Sequence, residues 1–144
     1  MNVRTPGDAR LAEVDAAADV RARSTGGSLR EGRIDVPGWI ELRAPQGEAA
    51  AAELASGAYI DVTGQRAALG GADAASTLDV ATTGDQDHGT LAATGTLTLT
   101  SKDGAADAAS ATSREANVTV DAASSALGAG DAATYKAFAE WVAD

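Results

Sequence analysis

The clearest alternation of hydrophobic and polar positions in this chain covers residues 91–100. Leucine occupies three of the odd positions of this segment, and threonine occupies four successive even positions. A period of two places the leucines on one face of a strand and the threonines on the other. Threonine is β-branched and suits a pleated, half-exposed surface. The pattern therefore predicts an antiparallel sheet with one face in a hydrophobic core.

Shorter alternating segments predict further strands at residues 59–63, 77–81 and 117–121. Residues 33–44 contain two alternating runs on either side of Pro37-Gly38, which predicts a hairpin or a sharply kinked strand. The segments between these strands are rich in small and polar residues and are expected to form loops, at 64–76, 82–90 and 101–116.

Helical spacing predicts an α-helix near each end of the chain. In residues 5–23, Leu11 and Val14 fall on one face, and Thr5 followed by Pro6 resembles a helix start. In residues 131–142, three aromatic residues share one face of the predicted helix: Tyr135, Phe138 and Trp141. A third, alanine-rich helix is predicted at residues 47–56.

These elements predict an α+β fold, mainly antiparallel β, as a sandwich or open barrel with an N-terminal helix and a C-terminal amphipathic helix. The expected organisation is one globular domain. It comprises an arm and linker at residues 1–32, a β domain at 33–122 and a docking helix at 131–144.

One short pattern recurs, in which an acidic residue lies between two aliphatic residues. It is centred on Asp35, Asp61 and Asp79, at spacings of 26 and 18 residues. These unequal spacings argue against a regular repeat array. The favoured interpretation places each carboxylate in solvent between two inward side chains. A row of acidic ligands would require all three residues to lie in register on adjacent strands.

Composition indicates a core poor in large side chains. Alanine accounts for 36 of the 144 residues, whereas Leu, Ile, Val and Phe together account for only 23. Ordering this chain costs more than so few large side chains can offset by their own burial. Contacts with other subunits are therefore expected to contribute to its stability.

The formal net charge of −10 arises entirely beyond residue 43, because residues 1–43 contain seven arginines and seven acidic residues. An acidic chain without a basic cluster is a poor partner for nucleic acid or for an anionic membrane. Residues 1–12 contain no apolar run, so no secretory signal peptide is expected, and cytoplasmic assembly is predicted. No segment is apolar enough to predict a membrane span.

Catalytic and metal-binding patterns are weak. The chain contains no cysteine and a single histidine, His88, so thiolate sites, paired-histidine sites and nucleophilic triads find no support. Asp85 to Gly89 has the alternating carboxylates and glycine of a calcium loop, but no glutamate follows at the later ligand position. A solvated hairpin turn is the favoured interpretation. No catalytic residue, cofactor or metal ligand is predicted.

The combined features favour a non-catalytic structural subunit of a large symmetric assembly, most closely a phage-like virion component such as a capsid decoration or tail subunit. Its expected partners are copies of itself and other particle subunits. The candidate interface residues lie in the two predicted terminal helices and beside Pro37-Gly38: Leu11, Val14, Trp39, Tyr135, Phe138 and Trp141. Trp39 has two interpretations, as a cover for the open side of the sheet or as an interface residue.

The alternative function is a monomeric β-rich binding module. It would present the loops at 64–76, 82–90 and 101–116 to a small ligand or carbohydrate. Because these segments contain no aromatic residue, they lack the side chains that such sites usually use.

Overall fold

A computed structural model describes residues 2–15, 18–116, 118–122 and 124–127. These residues form one sheet of twelve strands in which every pairing is parallel, and none of them is helical. The chain winds in successive coils that stack on one another, so the fold is a β-solenoid.

Ten of the strands are short, and two are long enough to continue around a bend. The strands are β1 (Asn2–Thr5), β2 (Ala9–Asp15), β3 (Val20–Ser24), β4 (Leu29–Val36), β5 (Ile40–Ser56), β6 (Ile60–Ala74), β7 (Leu78–Thr82), β8 (Gln86–Ala93), β9 (Leu97–Ser101), β10 (Ala105–Ser113), β11 (Val118–Asp121) and β12 (Ser124–Leu127).

Each coil contributes one strand segment to each of two faces. The first face stacks β1, β3, the start of β5, the start of β6, β7, β9 and β11. The second face stacks β2, β4, the end of β5, the end of β6, β8, β10 and β12. The length of a coil varies, since Ile60 pairs with Leu78, 18 residues later, whereas Leu97 pairs with Val118, 21 residues later.

Alternation along each strand places hydrophobic side chains inside the solenoid. On the first face, the inward positions are mostly Val, Ile and Leu, and one column of stacked residues contains Ile40, Ile60, Leu78 and Leu97, all fully buried. On the second face many inward positions are alanine. A narrow interior between two walls accommodates large side chains on one wall when small ones lie on the other. The low content of large hydrophobic residues is therefore suited to this fold.

Buried serines close the corners between the strands. The Ser56 hydroxyl donates to the carbonyl oxygen of Gly38 at 2.6 Å and accepts the Ala58 N–H at 3.0 Å. Ser113 repeats this arrangement, donating to Gly95 at 2.7 Å and accepting from Ala116 at 3.0 Å. These bonds satisfy corner backbone groups that would otherwise be buried without partners.

The structure contradicts the predicted α+β fold. The segment at residues 5–23 contains strands β2 and most of β3 rather than a helix, and the alanine-rich segment at 47–56 is the end of β5. Both segments lie between or beside paired strands, where ladder hydrogen bonds outweigh a weak preference for helix. The helix predicted at residues 131–142 lies outside the described residues.

The predicted antiparallel arrangement and the hairpin at residues 33–44 are also wrong. Strands β4 and β5 are parallel, and Pro37-Gly38 marks the corner between them. The expected absence of a regular repeat is wrong as well, because the coils repeat structurally at slightly unequal lengths. The inward positions predicted for Ile60, Val62, Leu78 and Val80 are confirmed.

The three predicted loops are mostly strand. Residues 64–76 lie largely in β6, 82–90 contain a short turn and the start of β8, and 101–116 contain β10. Strand β4 also crosses the boundary predicted at residues 32 and 33 and continues the same sheet.

Candidate functional site

The solenoid stacks outward side chains into charged columns along its surface. On the first face, one column brings together Arg21, Glu41, Asp61 and Asp79 on four successive strands. Glu41 Oε1 forms ion pairs with Arg43 Nε at 2.7 Å and with Arg21 Nε at 3.6 Å. Because each strand lies about 4.8 Å from the next, like charges in such a column repel one another.

The paired carboxylates of this column have altered acidities. Burial raises the pKa of Asp61, and the neighbouring charge of Asp79 raises it further, although Arg43 at 3.7 Å opposes the shift. Burial also raises the pKa of Asp79. Two partly desolvated carboxylates side by side carry a cost in their charged form.

The recurring acidic pattern found in the sequence is only partly realised as a row. Asp61 and Asp79 are register partners on the first face. Asp35 lies on the second face. The acidic residue next to Asp61 on the first face is Glu41, its register partner in β5. The requirement that all three aspartates lie in register is therefore not met. The segment around Glu41, in which the acidic residue again lies between Ile40 and Leu42, was the missing signal.

Two further outward columns change sign along the solenoid. The first contains Arg4, Arg23, Arg43, Thr63, Ala81, Thr100 and Asp121. The second contains Arg10, Arg30, Ala50, Ala68, Asp87, Asp107 and Ala126. Both columns begin with arginine in the N-terminal coils and carry aspartate in the C-terminal coils, although the second column ends with Ala126. Each of these two columns therefore changes from positive to negative along the solenoid axis.

His88 forms part of a buried polar network. Its Nδ1 accepts the Leu69 N–H at 3.1 Å, and its Nε2 lies 3.0 Å from Gln86 Oε1. The Gln86 amide donates to the Thr100 carbonyl oxygen at 2.8 Å and to Thr82 Oγ1 at 3.1 Å. Burial lowers the pKa of His88 to about 4, so the ring is neutral at neutral pH.

This network alters the interpretation of residues Asp85 to Gly89. The segment is not a hairpin turn, because β8 begins at Gln86 and alternation places Gln86 and His88 inside and Asp87 outside. Asp85 lies in the preceding turn, where its Oδ1 accepts the Ala105 N–H at 2.9 Å. Asp85 therefore lies in the turn, whereas Asp87 lies on the outer side of β8. The residues that the structure describes contain no group of three potential metal ligands.

Trp39 lies at a corner and is half-buried. Its ring stacks on Tyr59, with a centroid separation of 5.8 Å and an interplanar angle of 8°, and the Arg21 guanidinium carbon lies 5.3 Å from the Trp39 centroid. These three side chains combine aromatic stacking with a cation–π contact. Trp39 thus covers a corner of the solenoid, and its proposed interface role stays a prediction.

An open groove of about 620 Å³ lies on the surface near the corner at Pro37. Arg114 and Asp73 line it and form a two-point ion pair, with nitrogen–oxygen distances of 3.2 and 3.4 Å. Arg114 also donates to Thr94 Oγ1 at 3.4 Å. Arg114, in the corner after β10, is thereby linked to Asp73 in β6 on a non-adjacent coil, whereas Asp35, which also lines the groove, pairs with Arg33.

The remaining candidate interface residues fall in different places. Val14 is buried in β2. Leu11 lies in the same strand, β2, and is itself the register partner of Glu31 in β4. Tyr135, Phe138 and Trp141 lie outside the described residues. The structure thus places Leu11 and Val14 in the first coil and Trp39 at a corner of the second. No pattern in residues 1–15 indicated that β1 and β2 would lie at one end of the described stack.

The residues that the structure describes include no helix with the length and hydrophobicity that a membrane span requires. No protein-family model, curated protein or solved structure matches this chain.

Proposed function

We propose that this chain is a non-catalytic structural protein that assembles with copies of itself. One observation carries the proposal: the hydrophobic interior extends to the last rung at each end of the described sheet. The inward residues Val3 and Val120 lie in β1 and β11, the two outermost strands that the structure describes on the first face. Solenoids of stacked repeats need a cover or a partner at such ends.

The use of the single histidine supports a non-catalytic role. His88 is only 4% exposed and is engaged with the Leu69 backbone and the Gln86 side chain. A buried ring committed to these bonds is a poor general base for activating a nucleophile. The chemistry of the interior thus serves packing.

The narrower assignment, to a capsid decoration or tail subunit of a phage-like virion, stays a prediction that rests on the general character of the sequence. The same holds for partners other than copies of this chain and for assembly in the cytoplasm. The alternative function, a binding module that presents three loops, loses its structural basis because those segments are mostly strands.

The test of self-assembly is the native mass of the full chain, measured by light scattering after size exclusion at low and at molar salt. We expect species well above the chain mass of 14.2 kDa. A folded monomer at both salt concentrations, across the accessible range of protein concentration, would contradict the proposal.

A further inference from the structure

The two ends of the solenoid carry strands with a neighbour on one side only. Within the described part of the chain, β1 pairs with β3 alone, and β11 pairs with β9 alone. The outer edges of such strands present backbone N–H and C=O groups that can pair with another strand. Both edge strands belong to the same face and to parallel ladders. The free edge of β11 in one copy can therefore pair with the free edge of β1 in another copy.

The register of the stack predicts which residues would meet if a second copy continued it. Following the columns from β11 back to β1 pairs Thr119 with Asn2, Val120 with Val3, and Asp121 with Arg4. Val120 and Val3 belong to the inward column, so the junction would continue the hydrophobic interior. The described backbone of β12 follows the same rule toward β2, because Ser125 occupies the column of Ala9.

Charge favours this orientation. Arg4 and Arg23 are adjacent and exposed at one end, whereas Asp121 is exposed at the other. On the second face, Arg10 and Arg30 lie in the first coils and Asp87 and Asp107 in later coils, with the uncharged Ala126 as the last described residue of that column. A head-to-tail contact places Arg4 beside Asp121, while a head-to-head contact would place arginine columns against each other.

We propose that a second copy of this chain docks head-to-tail, with β11 of one copy pairing in register with β1 of the next. This inference rests on the proposed function and specifies its interface. The contact joins two different surfaces along a common axis, so its repetition produces an open row of molecules rather than a closed pair. Seven rungs of the first face at about 4.8 Å each give an axial repeat of about 34 Å per copy.

The test reverses the charges that meet at the junction in the full chain. Arg4→Glu alone and Asp121→Arg alone each place like charges together, and we expect at least a tenfold loss of association. The double variant R4E/D121R restores opposite charges and should recover association. Light scattering measures the mass, electron microscopy measures the axial repeat, and circular dichroism checks that each variant keeps its β-sheet signal.

Two control variants match the changes in net charge. Arg66→Glu and Asp103→Arg alter exposed residues outside the Arg4–Asp121 column, Arg66 in β6 and Asp103 in the bend between β9 and β10. These variants should associate like the unaltered protein. Equal loss of association in the controls would show that total charge is responsible and would overturn the proposed junction.

The outcomes separate this inference from the proposed function. Association that persists in both single reversals, or that fails to recover in the double variant, would overturn the head-to-tail register while leaving self-assembly in place. A monomer at every concentration and salt would overturn both, and would indicate another occupant of the edge, such as residues 128–144.

Discussion

A neutral histidine inside the solenoid illustrates what a narrow interior demands of a polar residue. His88 and Gln86 bond to each other, and backbone groups from neighbouring strands satisfy their remaining atoms. A buried polar pair is tolerated when its hydrogen bonds are complete. The alternation of β8 could have been read from the sequence, but the Leu69 N–H that His88 accepts lies on another coil and could not.

We predict that the protein loses stability as the pH falls from about 7 to about 4. The unfolded chain protonates His88 near its ordinary pKa of 6.5, whereas the folded protein keeps the ring neutral down to about pH 4. The unfolded state therefore binds more protons over this range. The resulting loss in the free energy of unfolding is about 3 kcal/mol at most. Urea denaturation at a series of pH values measures it.

His88→Gln isolates this contribution, because the amide keeps polar atoms in the interior and does not titrate. The raised pKa values of Asp61 and Asp79 act in the opposite direction, adding stability as the pH falls through their range. Both proteins share these aspartates, so the difference between their pH profiles reports His88. Identical profiles for the two proteins would show that His88 is not buried as a neutral ring.

At the scale of the strand, the bend on the second face depends on small residues. Gly70 and Gly89 stack at this bend, and neither has a register partner, whereas the residues on either side do. A Cβ built on Gly89 would collide with the carbonyl oxygen of Gly70. Close approach of two backbones is thus the reason for glycine at this position.

We predict that Gly89→Ala lowers the free energy of unfolding by about 1–3 kcal/mol, because the backbone must move to accommodate the methyl group. Gly71→Ala is the matched control. It adds the same group where the nearest atom is the Thr90 carbonyl oxygen at 3.8 Å. Thermal denaturation of both variants makes the comparison, and equal destabilisation would contradict the close packing at the bend.

Strand positions were predictable where large aliphatic residues alternate with polar ones, as around Ile60 and Leu78. The single strand predicted at residues 91–100 is wrong, because a corner at residues 94–96 divides this segment between the end of β8 and β9. Residues 47–56 were not, because alanine occupies inward and outward positions alike and hides the period of two. Alanine also favours helix in isolation. Neighbouring strands on both sides decide its conformation here, and a single segment does not reveal its neighbours.

At the scale of the whole molecule, the sequence conceals the repeat because the coils differ in length and share few identical residues. Their common feature is the burial pattern, with Ile40, Ile60, Leu78 and Leu97 in one column. Counting distances between similar triplets mixed the two faces, since Asp35 belongs to the second face and Asp61 to the first. The concentration of arginine in residues 1–43 was visible in the sequence, but its alignment along an axis required the fold.

The most direct test of head-to-tail assembly is crosslinking of the double variant Asn2→Cys and Thr119→Cys, which exploits the absence of native cysteine. The proposed register places these two positions side by side in different copies and leaves the Arg4–Asp121 pair intact. The matched control, Thr98→Cys with Thr119→Cys, joins register partners within one chain and should crosslink internally.

After oxidation, we expect a ladder of covalent oligomers for the first variant and internally bridged single chains for the control. Single chains with free thiols in the first variant, alongside a bridged control, would contradict head-to-tail assembly.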